Sequence, residues 1–139
     1  MKTKRMAVLL AGAALLLLAL TACGKPPVYS DGTYTGVSSE DEKGAYGEVT
    51  IRIEDGAVAA CEYVTWQKDG SIKDEEYGKS SGSQEYYDKA QLAVRAMQQY
   101  ADALVEQQSL KKIDAVSGAT NSYDQFREAV TDALDEAKE

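Results

Sequence analysis

The chain contains no histidine and only two cysteines, Cys23 and Cys61, among its 139 residues. The lack of histidine excludes a Ser-His triad, His-ligated zinc and His-ligated haem. It also excludes the C-x-x-C-H motif that attaches c-type haem. No spacing of carboxylates predicts a metal site. From the sequence we therefore assign no catalytic residue and no metal ligand to the chain.

The longest apolar run, residues 7–20, lies near the start of the chain and follows the basic residues Lys2, Lys4 and Arg5. It is shorter than the about 20 residues that a membrane-spanning helix needs, and the pattern is typical of a signal peptide. The sequence Leu20-Thr21-Ala22-Cys23 resembles a lipobox, the cleavage and lipidation site of bacterial lipoproteins. We expect residues 1–22 to be removed and acyl chains on Cys23 to anchor the protein at the extracytoplasmic face of the cell membrane. The alternative is an uncleaved or secreted form in which Cys23 is a free thiol.

The chain is acidic, with 15 basic and 23 acidic residues and a formal net charge of −8. Three of the basic residues and none of the acidic ones precede Cys23, so the mature chain would have a net charge of −11. This charge argues against nucleic-acid partners and against electrostatic binding to anionic lipid. We expect a lipidated cysteine and tether at residues 23–31, and one folded domain at residues 32–139. Within it, Cys61 lies in a strand-like stretch that favours a small buried side chain over a reactive thiol.

The first half of the domain predicts an antiparallel sheet. Residues 32–37 form a plausible first strand, and residues 49–53 alternate apolar and polar side chains as in a half-buried strand. Asp55-Gly56 is a strong signal for a two-residue hairpin. The return strand is expected at about residues 57–66. Its core face is left open, because Glu62 interrupts one of its two sides.

The second half of the domain predicts two helices. Apolar residues recur at helical spacing over residues 84–106, and again after Ser122, which has capping-box spacing with Gln125. Ile72 is a candidate start for a short strand, and residues 113–116 predict a short strand or an extended segment. The expected fold is α+β, with an antiparallel sheet packed with a long helix and a C-terminal helix.

The segment Asp114-Ala115-Val116-Ser117-Gly118-Ala119-Thr120 is predicted to lie just before the second helix. Gly118 and Ala119 leave little side-chain bulk beside Thr120, and Gly118 can adopt a positive φ. Unpaired backbone N–H groups at a helix start favour bound phosphate. The other interpretation is a plain turn that enters a helix, although a turn would not require Asp114.

These seven residues resemble the D-x-x-[S/T]-G-A-T motif of the FMN-binding domain family. The resemblance implies that a separate Mg-dependent flavin transferase takes FMN from FAD and attaches it to Thr120 through a phosphoester bond. It also implies that Asp114, Ser117, Gly118 and Ala119 belong to the flavin site. A threonine hydroxyl normally needs an adjacent base. Because the chain has no histidine, activation would fall to Asp114 or to the transferase and its metal.

Two further stretches, residues 31–36 and 73–79, resemble small FMN-binding lipoproteins, so the resemblance covers most of residues 31–127. The family also includes FMN-bearing subunits of membrane quinone reductases and extracellular electron-transfer lipoproteins. The implied function is a redox carrier rather than an independent enzyme, with an electron donor and an acceptor as partners. The competing hypothesis is a cofactor-free lipoprotein that binds a ligand or interacts with the envelope.

Tyrosine is abundant, with nine residues against one phenylalanine and one tryptophan. Aromatic faces can stack on an isoalloxazine ring and shield it from water. Tyr77, Tyr46 and Trp66 lie near glycine-rich turns and are the candidates for this contact. The alternative for each of them is packing between the sheet and a helix.

Overall fold

The computed structural model describes residues 28–138. They form a sheet of three strands, β1 (Gly32–Val37), β2 (Tyr46–Glu54) and β3 (Ala57–Trp66), and two helices, α1 (Gln84–Gln107) and α2 (Thr120–Ala137). Short 3-10 turns lie at Lys79–Ser81 and Leu110–Lys112. The strands are antiparallel in the order β1-β2-β3, which confirms the predicted α+β fold. The predicted signal peptide, residues 1–22, and Cys23 lie outside the described residues.

The hairpin between β2 and β3 turns at Asp55 and Gly56. Their φ angles are 52° and 73°. A two-residue turn with positive φ at both positions matches the right-handed twist of the strands that it joins. The short connection therefore fixes the antiparallel register of β2 and β3, as the sequence predicted.

A bulge at Ala59 explains why the core face of β3 was left open by the sequence. Ala59 is an extra residue in β3, and the register with β2 shifts there. One extra residue reverses which side chains point to the core. Val58 is consequently buried before the bulge, whereas Tyr63 and Thr65 are buried after it. Glu62 then lies exposed on the outer face of the sheet.

Both helices cover the same face of the sheet, α2 against β1 and β2 and α1 against β3. The approach of α2 to β1 is closest at Gly36, where a Cβ atom would lie 2.1 Å from the carbonyl oxygen of Ala129. Burial of apolar surface between these layers is the main favourable term in folding. The largest fully buried apolar side chains are Val49, Ile51, Ile53, Tyr100, Leu104, Phe126 and Val130.

The long helix α1 confirms the prediction for residues 84–106 and is one residue longer. Its N-cap is Ser83, whose side chain accepts a hydrogen bond from the N–H of Tyr86 at 3.3 Å. At its other end Gln108 has a φ of 56°. This left-handed conformation stops the helix, and the N–H of Gln108 satisfies the carbonyl of Leu104 at 2.9 Å.

The start of α2 differs from the prediction. The helix begins at Thr120, so the predicted capping box of Ser122 and Gln125 is wrong. Ser122 is buried in the first turn, and the side-chain amide of Gln125 donates to the carbonyl of Ala45 at 2.8 Å. These two polar residues join α2 to the rest of the domain and do not cap it.

Neither of the two candidate short strands becomes a strand of the sheet. Ile72 forms only an isolated bridge with Trp66, and residues 113–116 are extended without pairing to a strand. The sequence could not distinguish these cases, because pairing depends on whether a neighbouring strand offers a free edge at that place.

The two ends of the described chain lie side by side. Tyr29 forms an antiparallel bridge with Lys138, and the N–H of Ser30 donates to the carbonyl of Ala137 at 2.8 Å. The chain is thus attached to the domain from Tyr29 onwards. Within residues 28–138, no helix combines the length and the apolar character needed to cross a lipid bilayer.

The contact at Gly36 gives a first prediction. Gly36→Ala should destabilise the protein by about 1–3 kcal/mol or more, because the new Cβ meets backbone atoms that cannot rotate away. Urea unfolding followed by Trp66 fluorescence measures the effect. Thr35→Ala, at the exposed neighbouring position, is the matched control and should change the stability by only about 0.5 kcal/mol. Equal stability of the two variants would contradict the described packing of α2 on β1.

Candidate functional site

The segment that precedes α2 is built around Gly118 and Ala119. Gly118 has a φ of 85°, and a Cβ at this position would lie 2.9 Å from Cδ2 of Leu92. Both the backbone conformation and the available space therefore favour glycine. Ala119 is buried and occupies the N-cap position of α2. A small residue there brings the segment close against α1.

Two buried or half-buried tyrosines hold this segment in place. The hydroxyl of Tyr100 accepts a hydrogen bond from the N–H of Val116 at 2.8 Å and donates to the carbonyl of Ala119 at 3.3 Å. The hydroxyl of Tyr123 donates to the carbonyl of Ile113 at 2.5 Å. The two rings pack with their centroids 5.4 Å apart. Burial raises the pKa of Tyr100, so its hydroxyl remains protonated and able to donate.

Thr120 is the first residue of α2, and its side chain is exposed. No side chain caps this helix end, because the N-cap residue is Ala119. The first N–H groups of a helix have no partner inside the helix, and they carry the positive end of its dipole. The start of α2 is thus a place where an anion can be bound beside the Thr120 hydroxyl.

A cleft of about 830 Å³ opens in front of the start of α2. Its volume falls within the range of about 300–1,000 Å³ that is usual for small-molecule sites. Its walls come from the loop after β1, the segment after β3, the first half of α1 and the start of α2. Of the residues predicted from the sequence, the structure brings together Tyr77, Gly118, Ala119 and Thr120.

The loop after β1 is fastened to α2 by two carboxylates. The N–H of Ser39 donates to Oε2 of Glu128 at 2.8 Å, and the N–H of Val37 donates to Oδ2 of Asp132 at 2.9 Å. The hydrogen bond from Ser39 lowers the pKa of Glu128. These contacts hold one wall of the cleft against the helix whose N-terminus forms another.

The same loop turns at Asp41, whose Oδ1 accepts hydrogen bonds from the N–H groups of Lys43 and Ala45 at 2.8 and 2.9 Å. Desolvation raises the pKa of Asp41, but these two bonds and the charges of Lys73 and Lys43 outweigh it, and the net shift is downward. The carboxylate therefore stays ionised at neutral pH and forms a fixed negative charge at the cleft.

Three lysines, Lys43, Lys73 and Lys89, also line the cleft. Lys89 is exposed and forms an ion pair with Glu85 at 2.7 Å. Lys73 is half-buried, and its Nζ lies 5.3 Å from the centre of the Tyr77 ring. Burial lowers the pKa of Lys73, and the charge of Asp41 opposes that shift.

Tyr77 and Tyr86 supply the aromatic part of the cleft. Burial raises the pKa of Tyr77 to about 12, with a further contribution from its hydrogen bond with Tyr86. The carbonyl of Tyr77 accepts a hydrogen bond from Nε2 of Gln91 at 3.0 Å, which ties this segment to α1. Tyr86 has 44% of its surface exposed, so a ligand in the cleft can contact its ring.

Four other predicted site residues do not line the cleft. Asp114 and Ser117 are exposed near the start of the segment that leads to α2. Tyr46 and Trp66 lie opposite each other on β2 and β3, on the face of the sheet that alternates away from the helices. The indole N–H of Trp66 is buried without a hydrogen-bond partner among residues 28–138. Cys23 lies outside the described residues.

Cys61 is half-buried and unpaired. Burial raises its pKa to about 12, and the carboxylates of Asp102 and Glu62 add to the shift. A thiol with so high a pKa holds almost no thiolate at neutral pH, and the thiolate is the reactive form.

A second depression, of about 640 Å³, lies along the exposed side of α2. Its lining carries one basic residue, Arg127, and four carboxylates, Asp124, Glu128, Asp132 and Asp135. This excess of negative charge is unsuited to a phosphate. The lining of the cleft at the start of α2 is also acidic, with the three lysines set against the carboxylates of Glu40, Asp41, Glu42, Asp124 and Glu128. Of these two depressions among residues 28–138, the cleft is the one that adds lysines and the free N–H groups at the start of α2.

Tyr100, Tyr123, Lys73 and Tyr86 are not among the site residues predicted from the sequence. Tyr100 was detectable, because it lies one turn from Met97 and Leu104 on the buried stripe of α1. Lys73 lies in the stretch 73–79 that resembles small FMN-binding lipoproteins, but nothing in that stretch singled it out, and Tyr86 has no local signal of a site. The folded chain brings the segment after β3, with Lys73, and the first half of α1, with Tyr86, to the same cleft.

Comparison with known proteins shows that the chain matches a protein family. The sequence model of the FMN-binding domain matches residues 30–135, which is more than half of the chain. The match includes all the residues that line the cleft. No curated protein matches the chain.

Two solved structures are similar. The crystal structure of the CPE2226 protein from Clostridium perfringens has a TM-score of 0.63 and 25% sequence identity, and the similarity covers 78% of this chain and 88% of that one. A solution NMR structure of a protein from Clostridium thermocellum has 26% identity over 74% of this chain and 91% of that one, with a TM-score of 0.40. The second similarity is too low to support a structural conclusion, whereas the first supports the fold.

The hydrogen bonds of Tyr100 give a second prediction. Tyr100→Phe keeps the ring but leaves the N–H of Val116 without its partner, so we expect a loss of about 1–3 kcal/mol in stability. Hydrogen exchange should become faster at the amide of Val116. Tyr46→Phe is the control, because the Tyr46 hydroxyl has no hydrogen bond within the described residues. Unchanged exchange at Val116 would show that Tyr100 does not hold the segment.

Proposed function

The chain belongs to the FMN-binding domain family, and we propose that it carries FMN covalently on Thr120 and transfers electrons outside the cytoplasmic membrane. Flavin binding itself follows from the family. The covalent bond, the electron transfer and the membrane anchor are the proposal. One observation carries it above the others: the exposed hydroxyl of Thr120 lies at an uncapped helix N-terminus and lines a cleft of small-molecule size.

The residues of the cleft fit FMN. A phosphodiester on Thr120 would carry one negative charge, which the unpaired N–H groups at the start of α2 favour. Gly118 lets the segment before Thr120 pack tightly against α1, since even a Cβ at that position would meet Leu92. Tyr77 and Tyr86 offer aromatic surface for the isoalloxazine ring. The lysines of the cleft reduce the repulsion between an anionic cofactor and an acidic protein.

Attachment by a separate flavin transferase is supported by what lies near Thr120. The chain has no histidine, and Asp114 does not line the cleft. The cleft has carboxylates, but within residues 28–138 none of them is hydrogen-bonded to the Thr120 hydroxyl. Asp114, the first residue of the motif, is exposed, so a second protein or its metal can reach it. We infer that Asp114 contributes to recognition or activation within the complex with the transferase.

The flavin, when bound, supplies the one- and two-electron redox chemistry. The side chains of the domain hold the cofactor, orient it and exclude water from part of the ring. The proposed lipid on Cys23 would keep the domain at the outer face of the membrane. The chain joins the domain at Tyr29, which pairs with Lys138 beside the C-terminal end of α2, so the proposed anchor and the cleft would lie at opposite ends of that helix.

The site assignment is tested by Thr120→Ala. In protein co-expressed with a flavin transferase, intact mass should show a flavin-phosphate increment in the wild type and none in this variant. Fragmentation should place the increment on the peptide that contains Thr120. Stability should change by only about 0.5 kcal/mol, because the side chain is exposed.

The matched control for that test is Thr131→Ala, which removes an exposed threonine hydroxyl from the same helix outside the cleft and should keep the increment. Full covalent flavin in Thr120→Ala would contradict the site. A wild type without the increment, despite an active transferase, would favour the cofactor-free lipoprotein instead.

The role of Asp114 gives a separate prediction. Asp114→Ala should slow flavin attachment by about tenfold or more, because the transferase loses a contact or a base. Its stability should change by only about 0.5 kcal/mol, since the side chain is exposed. The rate of flavin incorporation and urea unfolding measure the two quantities. The control is Asp88→Ala, which removes a carboxylate from the exposed side of α1. Asp55 is not a suitable control position, because its φ is positive. Equal rates in Asp114→Ala and the wild type would remove Asp114 from the attachment step.

A further inference from the structure

Lys73 differs from the other two lysines of the cleft. Lys43 and Lys89 are exposed, and Lys89 already has Glu85 as its ion-pair partner. Lys73 is half-buried, and no carboxylate or carbonyl within residues 28–138 lies within hydrogen-bond or ion-pair distance of its ammonium group. Its described contact is the face of the Tyr77 ring, 5.3 Å from Nζ to the ring centre.

Burial of such an ammonium group is unfavourable in free energy, because it removes part of the hydration of the charge. Burial accordingly lowers the pKa of Lys73. The nearby charge of Asp41 raises this pKa, but it offsets the effect of burial only in part. The charges and titratable groups that face it are Asp41, Lys43 and Tyr86. The backbone of Lys73 is nevertheless fixed, since its N–H donates to the carbonyl of Thr65 at 2.9 Å. The protein therefore keeps a positive charge with unused hydrogen-bond donors at the wall of the cleft.

We infer that Lys73 stabilises negative charge on the isoalloxazine ring of the bound flavin and so raises its reduction potential. This inference rests on the proposed function, because it requires a flavin in the cleft. Thr120 and Lys73 come from different elements, the start of α2 and the segment after β3, and both line the same cleft. With the phosphate at α2, the ring is the part of the cofactor that can extend to Lys73, Tyr77 and Tyr86.

The electrostatic effect has a defined sign. Uptake of two electrons and one proton leaves the ring with one more negative charge than in its oxidised form. A cation beside the ring favours that charged form, whereas a neutral side chain does not. The overall negative charge of the chain acts in the opposite direction. Lys73 would offset it locally, where distances are short and solvent is partly excluded.

The experiment uses flavinylated protein from co-expression with a transferase. Lys73→Met keeps much of the side-chain length without the charge, Lys73→Arg keeps the charge, and Lys111→Met is the matched control at an exposed lysine outside the cleft. Each protein is titrated anaerobically with dithionite, which supplies the electrons while water supplies the proton, and visible absorbance reports the flavin. The pH at which the oxidised ring loses its N3 proton is measured on the same samples.

For Lys73→Met we expect the equilibrium to favour the reduced form about tenfold less, which is about 30 mV for a two-electron couple. The N3 proton should be lost at a higher pH. Lys73→Arg and Lys111→Met should stay close to the wild type in both measurements. Thermal unfolding of each variant confirms that the fold is retained.

Three outcomes would overturn the inference. Equal potentials in Lys73→Met and the wild type, with full flavin in both, would show that Lys73 does not act on the ring. Loss of covalent flavin in Lys73→Met, with the fold intact, would place Lys73 in attachment. A wild type that carries no flavin would overturn the proposed function itself, and this inference with it.

Discussion

The position of α2 on the sheet is the constraint on which the site depends. At Gly36 the helix backbone lies so close to β1 that even one added carbon would overlap the carbonyl oxygen of Ala129. This contact fixes where α2 lies on the sheet. The carboxylates of Glu128 and Asp132, on either side of this contact, then hold the end of β1 and the loop after it, through Ser39 and Val37. The uncapped N-terminus and the wall that faces it are therefore placed by the same packing.

Buried tyrosines carry out the finer positioning, because their rings fill the core while their hydroxyls reach backbone groups. Tyr63 donates to the carbonyl of Ser122 at 2.7 Å, in the first turn of α2. Tyr100 and Tyr123 hold the segment that precedes that turn. Burial raises the pKa of Tyr63 to about 12, so its hydroxyl, like that of Tyr100, remains a donor at neutral pH. A segment without regular hydrogen bonding is in this way kept in one conformation next to Thr120.

Charge is distributed unevenly between the surface and the cleft. The chain as a whole has a net charge of −8, and the exposed side of α2 is lined mostly by carboxylates. The cleft has carboxylates too, but it adds three lysines and the positive end of a helix. An anionic cofactor is thus accommodated at one place on an otherwise acidic domain. If the domain transfers electrons as proposed, its acidic surface would favour encounters with a basic partner through electrostatic steering.

Local signals in the sequence determined much of this protein. Asp55-Gly56 specified the hairpin, apolar spacing specified α1, and Gly118-Ala119-Thr120 indicated the candidate site, because each depends on neighbours only a few residues apart. Contacts between distant segments decided the rest. The bulge at Ala59 reversed the buried face of β3, and packing on the sheet, rather than a capping box, set the start of α2. Tyr46 and Trp66 lie away from the cleft, while Lys73 and Tyr86 line it, because the path of the chain through space, which local spacing does not encode, determines which side chains meet.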